Sequence, residues 1–141
     1  CFNHKGTLSM AQRTRREQHY KALMDACYRV HSTLGPGLLE NTYEHCLFYE
    51  LEQVGLFVEK QKPLPVIYQD IKLETGYRID LLVENQIVVE IKSVEQLNST
   101  HEAQLLTYLK LSGCELGMLI NFNVARLKDG MHRKIMSRKK A

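Results

Sequence analysis

Nowhere in its 141 residues does the chain hold an apolar run approaching the ~18–20 residues that cross a bilayer, which excludes a membrane-spanning helix. The first twenty residues lack the apolar core of about 7–15 residues that marks a secretion signal. They carry Lys5, Arg13, Arg15 and Arg16 instead, so no signal peptide is expected. Cysteine is sparse: Cys1, Cys27, Cys46 and Cys114 are scattered and form no CxxC pair. That spacing argues against a zinc site or a disulfide framework and fits a reducing cytoplasm. Three prolines and eight glycines are too few for a collagen-like repeat. With 44% hydrophobic and 25% charged residues, the composition is that of an ordinary globular protein rather than a disordered or low-complexity one. There is no internal repeat and no linker, and the length is that of one domain. The chain opens on Cys1, and Met10 reads as a native start, with residues 1–9 left over from sequence upstream.

What is present is an uneven distribution of charge. Residues 1–16 carry four basic and no acidic side chains, and residues 126–141 carry seven basic residues against Asp129 alone. The centre holds eight basic and fifteen acidic residues. Basic ends suit a polyanion such as nucleic acid. An acidic centre between them is what a protein needs if it holds cations in a cleft and still approaches phosphates. The domain is expected over residues 17–136, between a basic leading segment (1–16) and a basic tail (137–141).

Tyr20, Leu23, Cys27, Val30 and Leu34 recur at helical spacing and predict a helix over 17–34, broken by Gly35-Pro36-Gly37. Leu39, Tyr43, Leu47, Leu51 and Val54 predict a second over 38–54, stopped by Gly55. The texture then turns to β. Residues 57–62 and 65–69 read as one interrupted strand or two short ones, and 72–83 and 87–94 as strands joined by a turn at Glu84-Asn85-Gln86. Ser99 or Thr100 caps a helix over 101–112 that ends at Gly113; residues 115–121 form a strand, and Asp129-Gly130 the turn of a last hairpin. The order ααβββαβ plus a terminal hairpin predicts an α/β domain around a mixed sheet.

Chemistry concentrates in the hairpin of residues 77–94. Glu90 and Lys92 lie two apart in the strand Ile87–Lys92, hence on one face. Asp80 is the single acid in Tyr77-Arg78-Ile79-Asp80-Leu81-Leu82-Val83. If the turn is residues 84–86, Val83 pairs with Ile87 and Asp80 falls opposite Glu90, with Cβ atoms ~4.5–5.5 Å apart. Two like charges this close in a sheet call for a cation between them or a proton on one. Hard oxygen ligands select Mg²⁺ or Mn²⁺.

Asp80, a ten-residue spacing and Glu90-Ile91-Lys92 together resemble the D…(D/E)xK core of the PD-(D/E)xK nuclease superfamily, although Ile79 stands where that motif often has proline. Gly37-Leu38-Leu39-Glu40-Asn41-Thr42-Tyr43 is similar to the GxxExxY signature that names a family of small prokaryotic proteins within it. The likeness runs from about residue 17 to 135 and includes Leu127-Lys128-Asp129-Gly130. The resemblance implies a restriction-endonuclease-like core with helices flanking a mixed sheet. It makes Asp80 and Glu90 metal ligands, with the Ile91 carbonyl as a third and Glu40 completing the shell. Glu40 is preferred to Glu44, which reads as a solvated neighbour. Lys92 would position water or stabilise phosphoryl charge; two nearby carboxylates favour its ammonium form, which argues against general-base work. Gln104 and Tyr108, four apart on one helical face, resemble the Gln-x-x-x-Tyr motif that lines the site in the exonuclease branch; His101, one turn earlier, reads as solvated, while Leu105, Leu106 and Leu109 face the core.

Cys27 and Cys46 read as packed thiols rather than nucleophiles, Phe48, Tyr49 and Phe57 as core, and His19, His31 and His45 show no ligand spacing. Gly35-Pro36-Gly37 is too short for a phosphate loop. The expected function is Mg²⁺- or Mn²⁺-dependent hydrolysis of phosphodiester bonds, in DNA before RNA and without sequence-specific reading. The alternative is a catalytically silent nucleic-acid-binding or protein-interaction module of the same fold. So short a chain has little beyond its core, which leaves room for a homo-oligomer or a partner in gripping substrate.

Overall fold

A computed structural model describes residues 8–137; the rest of the basic leader (1–7) and of the basic tail (138–141) lies outside the described residues. The elements run in the order α1 (Met10–Leu34), α2 (Glu40–Gln53), β1 (Val58–Pro63), β2 (Val66–Tyr68), β3 (Ile71–Leu73), β4 (Arg78–Val83), β5 (Ile87–Lys92), α3 (Ser99–Ser112), β6 (Leu116–Asn121) and, after a 3₁₀ turn at Leu127–Gly130, β7 (Met131–Ile135). Five strands form one sheet in the order β1-β4-β5-β6-β7, and β2 with β3 form a separate two-stranded hairpin. Only β5 and β6 run parallel, joined by the crossover helix α3; the other neighbours are antiparallel. The result is the expected mixed α/β fold, consistent with a restriction-endonuclease-like core.

Two apolar layers sandwich the sheet. Leu23, Cys27 and Val30 of α1 and Tyr43, Leu47 and Leu51 of α2 pack on Leu81, Val83, Ile87, Val89, Met118 and Ile120. On the other face, Leu105, Tyr108 and Leu109 of α3 cover Ile79, Leu82, Val88 and Leu119. Covered on both sides, β6 is buried along its whole length, which is why its sequence reads as a continuous apolar run rather than an alternation.

Element boundaries depart from expectation where caps decide them. α1 begins at Met10 rather than 17, because Ser9 and Gln12 form a reciprocal capping box. α2 begins at Glu40; Leu39 is its N-cap and is exposed, as is Val54 at its far end, so neither belongs to the apolar stripe. α3 begins at Ser99 because Asn98, not Ser99 or Thr100, is the cap, and His101 returns the bond through Nδ1 to the Asn98 N–H at 3.1 Å. Leu106 is exposed, as are Tyr49 and Phe57. The single strand expected over 72–83 is two, β3 and β4, separated by a stretch without strand structure at 74–77. β5 ends at Lys92, two residues early. Cys27 and Cys46 are free, whereas Cys114 is disulfide-bonded, so the cysteine spacing carries no argument about compartment. No helix among the described residues is long and apolar enough to cross a membrane.

The last hairpin also forms, β6 against β7, but through the connection 122–130 rather than a two-residue turn. Gly130 lies so close under β6 that a Cβ there would overlap the Asn121 carbonyl oxygen. Backbone cannot yield as a flexible side chain does, so Gly130→Ala should cost about 1–3 kcal/mol. A melting curve should show a fall of several degrees; a variant that melts within about one degree of wild type contradicts this close approach.

Candidate active site

The β4–β5 hairpin has the register expected from sequence, Val83 opposite Ile87, Leu82 opposite Val88 and Leu81 opposite Val89. Glu84 and Asn85 turn the chain with φ of 52° and 54°, the left-handed pair that suits the twist of a tight hairpin. The ladder stops one pair short of the acids. Where Asp80 and Glu90 would follow, side chains take over the bonding: the Ile91 N–H donates to Asp80 Oδ2 at 2.9 Å, and the Asp80 N–H donates to Glu90 Oε1 at 3.4 Å. On its other side Asp80 would pair with Gln61 of β1, and that pair is missing too, although Lys60↔Leu81 and Lys62↔Ile79 hold the same register around it. Gln61 adopts φ 50°, a conformation that costs a non-glycine residue about 1–2 kcal/mol.

The acids meet at this interruption. Glu90 is 4% exposed, and its carboxyl is held well above the usual range, first by burial, then by the charge of Asp80 and a hydrogen bond shared with it; the Lys92 ammonium works in the opposite direction. Lys92, half-buried at the end of β5, shares the Glu90 face by strand alternation. Gln104 donates to the Tyr108 hydroxyl at 3.0 Å. Burial and the Glu90 charge push that hydroxyl up, so it retains its proton. The structure therefore brings Asp80, Glu90, Lys92, Gln104 and Tyr108 to one place. Tyr77, which sequence reasoning passed over, sets its ring edge-on to Tyr108 at 6.2 Å.

Glu40 arrives from a different direction. It is the first residue of α2, and its Oε2 accepts from the Ser93 N–H at 3.4 Å. A cleft of about 550 Å³ opens there, lined by Glu40, Glu44, Lys60, Gln61, Asp80 and Ile91. In a strand the N–H and C=O of one residue point the same way, so the Ile91 carbonyl faces the side from which Asp80 binds its N–H. Glu44 is not the solvated neighbour expected: it is 8% exposed. Burial and then the Asp80 charge raise its carboxyl, while a 2.8 Å hydrogen bond from Gln61 lowers it. The signal for Glu44 was the four-residue spacing from Glu40, which puts both on one helical face; Gln61 gave none, because nothing local announces a residue that crosses between strands.

A model of the PD-(D/E)XK nuclease superfamily matches residues 17–134, most of the chain. The chain belongs to that superfamily. No curated protein and no solved structure gives a significant match. Nucleases of the superfamily typically work with divalent metals, and the donors here can be tested against that. Among the described residues no three His, Cys, Asp or Glu side chains form a ready metal cluster. What the site offers is two carboxyl groups that share a hydrogen bond, a strand carbonyl and open cleft for water. All are hard oxygen donors, which suits Mg²⁺ or Mn²⁺. A cation would also offset the Asp80 charge that, after burial, raises the Glu90 carboxyl, so the residues fit the group.

The metal-free protein has a testable pH dependence. The Glu90 carboxyl is raised above its unfolded value, so the folded state binds more protons across that window. The stabilising effect of its protonation is complete below the unfolded value and is lost as pH rises through the folded one. Glu90→Gln keeps shape and removes the charge. In EDTA it should raise the melting temperature by a few degrees at pH 7 and less at pH 5. Equal melting of variant and wild type at both pH values would show that the pair is not strained.

Proposed function

We propose that this nuclease-superfamily domain is a GxxExxY-type enzyme that hydrolyses phosphodiester bonds in DNA with Mg²⁺ or Mn²⁺. The observation that carries the reading is the pairing of buried Glu90 with half-buried Asp80 at the interrupted strand ladder, a costly arrangement that a divalent cation would stabilise. Asp80, Glu90 and the Ile91 carbonyl are the proposed ligands, with Glu40 reaching in across the cleft. Bound there, the metal would activate water and neutralise charge on the phosphate. Lys92, on the Glu90 face, would hold a phosphoryl oxygen and stabilise its charge. Tyr108 keeps its proton and accepts from Gln104, so its hydroxyl serves as a donor oriented by that amide.

The GxxExxY signature has a physical rationale that supports the subfamily reading. Gly37 has φ 100°, which favours glycine, and Glu40 faces the cleft. Tyr43 is fully buried and stacked on Phe122 at 4.6 Å. Its hydroxyl donates to the Gly35 carbonyl at 2.5 Å and accepts from the Leu38 N–H at 3.1 Å, tying down the loop that delivers Glu40.

The basic ends supply less free charge than their count suggests. Arg16 is buried against Glu115, Arg133 pairs with Glu17, Lys134 with Glu102 and Arg126 with Asp129. Arg13 and Arg15 remain exposed for backbone phosphates. The second reading is a silent nucleic-acid-binding or protein-interaction module of the same fold, and the pairing of these basic side chains favours its protein-interaction form. A cytoplasmic setting follows from the nuclease reading rather than from the cysteines.

Cleavage of single- and double-stranded DNA and of RNA, with Mg²⁺, Mn²⁺ or EDTA, tests the proposal. Wild type should cut DNA only with metal, Asp80→Ala should be inactive, and Lys92→Ala should lose roughly 10²–10³-fold in rate. At about a hundredfold excess over its Kd, metal should also stabilise wild type by ~2.7 kcal/mol, and Asp80→Ala should not respond. A protein that neither cuts nor binds metal is the silent module.

A further inference from the structure

Gln61 has no part in the superfamily motif, yet its side chain hydrogen-bonds to acids on two separate elements. Its Nε2 donates to Glu44 Oε1 of α2 at 2.8 Å and to Asp80 Oδ1 of β4 at 3.2 Å. The backbone is bent to allow this: φ at Gln61 is 50°, and its ladder pair with Asp80 is absent while the pairs on either side are intact. The Arg78 guanidinium donates to the Gln61 carbonyl at 3.3 Å, using the acceptor that the missing pair leaves available.

We infer that Gln61 is a positioning residue for Asp80, holding its carboxylate in the orientation that receives a divalent cation. The inference rests on the metal-dependent reading above. The Ile91 N–H holds Asp80 Oδ2 and the Gln61 amide holds Oδ1, so the carboxylate plane is fixed at both oxygens. The Glu90 carboxyl shares one further hydrogen bond with Asp80, and the Asp80 carboxylate still has lone-pair capacity for a ligand. Both donors are neutral. A lysine or arginine at position 61 could make the same bonds but would place a positive charge where the cation must sit. An amide orients Asp80 and Glu44 and leaves their charge uncancelled. Partners that orient a metal ligand typically change metal affinity by about 10–100-fold when removed.

Gln61→Gly and Gln61→Asn separate this role from a merely structural one. Both residues tolerate positive φ, and neither spans the two acids. The metal-free variants should melt no lower than wild type. The Mn²⁺ concentration at half-maximal thermal shift should rise roughly tenfold or more in both. In NMR spectra of the metal-free protein, the Ile91 amide proton should move upfield as Asp80, released at Oδ1, swings away from it. If wild type responds to Mn²⁺, the midpoint decides: an unchanged midpoint in both variants overturns the inference. If wild type does not respond, the metal reading has failed by itself and the Ile91 amide decides. A shifted amide then supports Gln61 as the residue that orients Asp80, and an unmoved one overturns that role as well.

Discussion

Asp80 and Glu90 repel each other, and the surrounding fold is arranged to hold them together regardless. Ladder bonds between β4 and β5 run through three consecutive pairs and stop at Leu81↔Val89. Beyond that point the acids satisfy the strands themselves, each carboxylate accepting a backbone N–H. Those bonds fix the side chains more firmly than solvent-exposed carboxylates would be. Burial then turns the closeness into a raised Glu90 and a raised Glu44. The site is therefore a place where stability is lost locally and supplied elsewhere, by two apolar layers on a sheet whose central strands are buried on both faces. Perturbed acids of this kind cluster at functional sites.

The hairpin and its register were legible because a three-residue gap between two apolar runs leaves few alternatives. Ile87-Val88-Val89 and Leu81-Leu82-Val83 are apolar throughout, so the length of the turn sets which residues face each other. Helix existence was equally readable from Leu23, Cys27 and Val30 and from Tyr43, Leu47 and Leu51. Helix starts were not. Ser9 with Gln12 and Asn98 with His101 each form a capping box, and both lie outside the periodic stripe used to bound the helix. His101 in particular is a cap rather than a solvated side chain or a ligand.

Residues that meet through local pairing could be grouped from the sequence, while Glu44 and Gln61, which meet through tertiary contact, could not. Asp80 and Glu90 come together through local pairing, and Gln104 and Tyr108 through helical spacing, so strand and helix periods suffice to group them. Glu44 and Gln61 join through the packing of α2 against β1, a contact that no short-range pattern encodes. The strict opposition expected for Asp80 and Glu90 was also too simple. Register gives the pair, but the interrupted ladder replaces backbone pairing with side-chain bonds, and φ at Gln61 is the visible sign of that change.

The loop before α2 links this local strain to the rest of the molecule. Phe122 follows β6 in the chain and stacks on Tyr43, and Tyr43 binds both ends of the Gly35–Leu38 segment through one hydroxyl. Ser93, just past β5, closes the circuit by donating its hydroxyl to the Leu38 carbonyl and its N–H to Glu40. The β6 end, the start of α2 and the end of β5 are thereby joined around the cleft by hydrogen bonds and ring contact. A displacement of α2 would have to break the Ser93 bonds before it could withdraw Glu40, and the same movement would carry Glu44 away from Gln61. The acids of α2 are thus held toward β4 and β5 from both sides, by Tyr43 behind and by Ser93 and Gln61 in front. This explains how the fold keeps several like charges converging on one cleft.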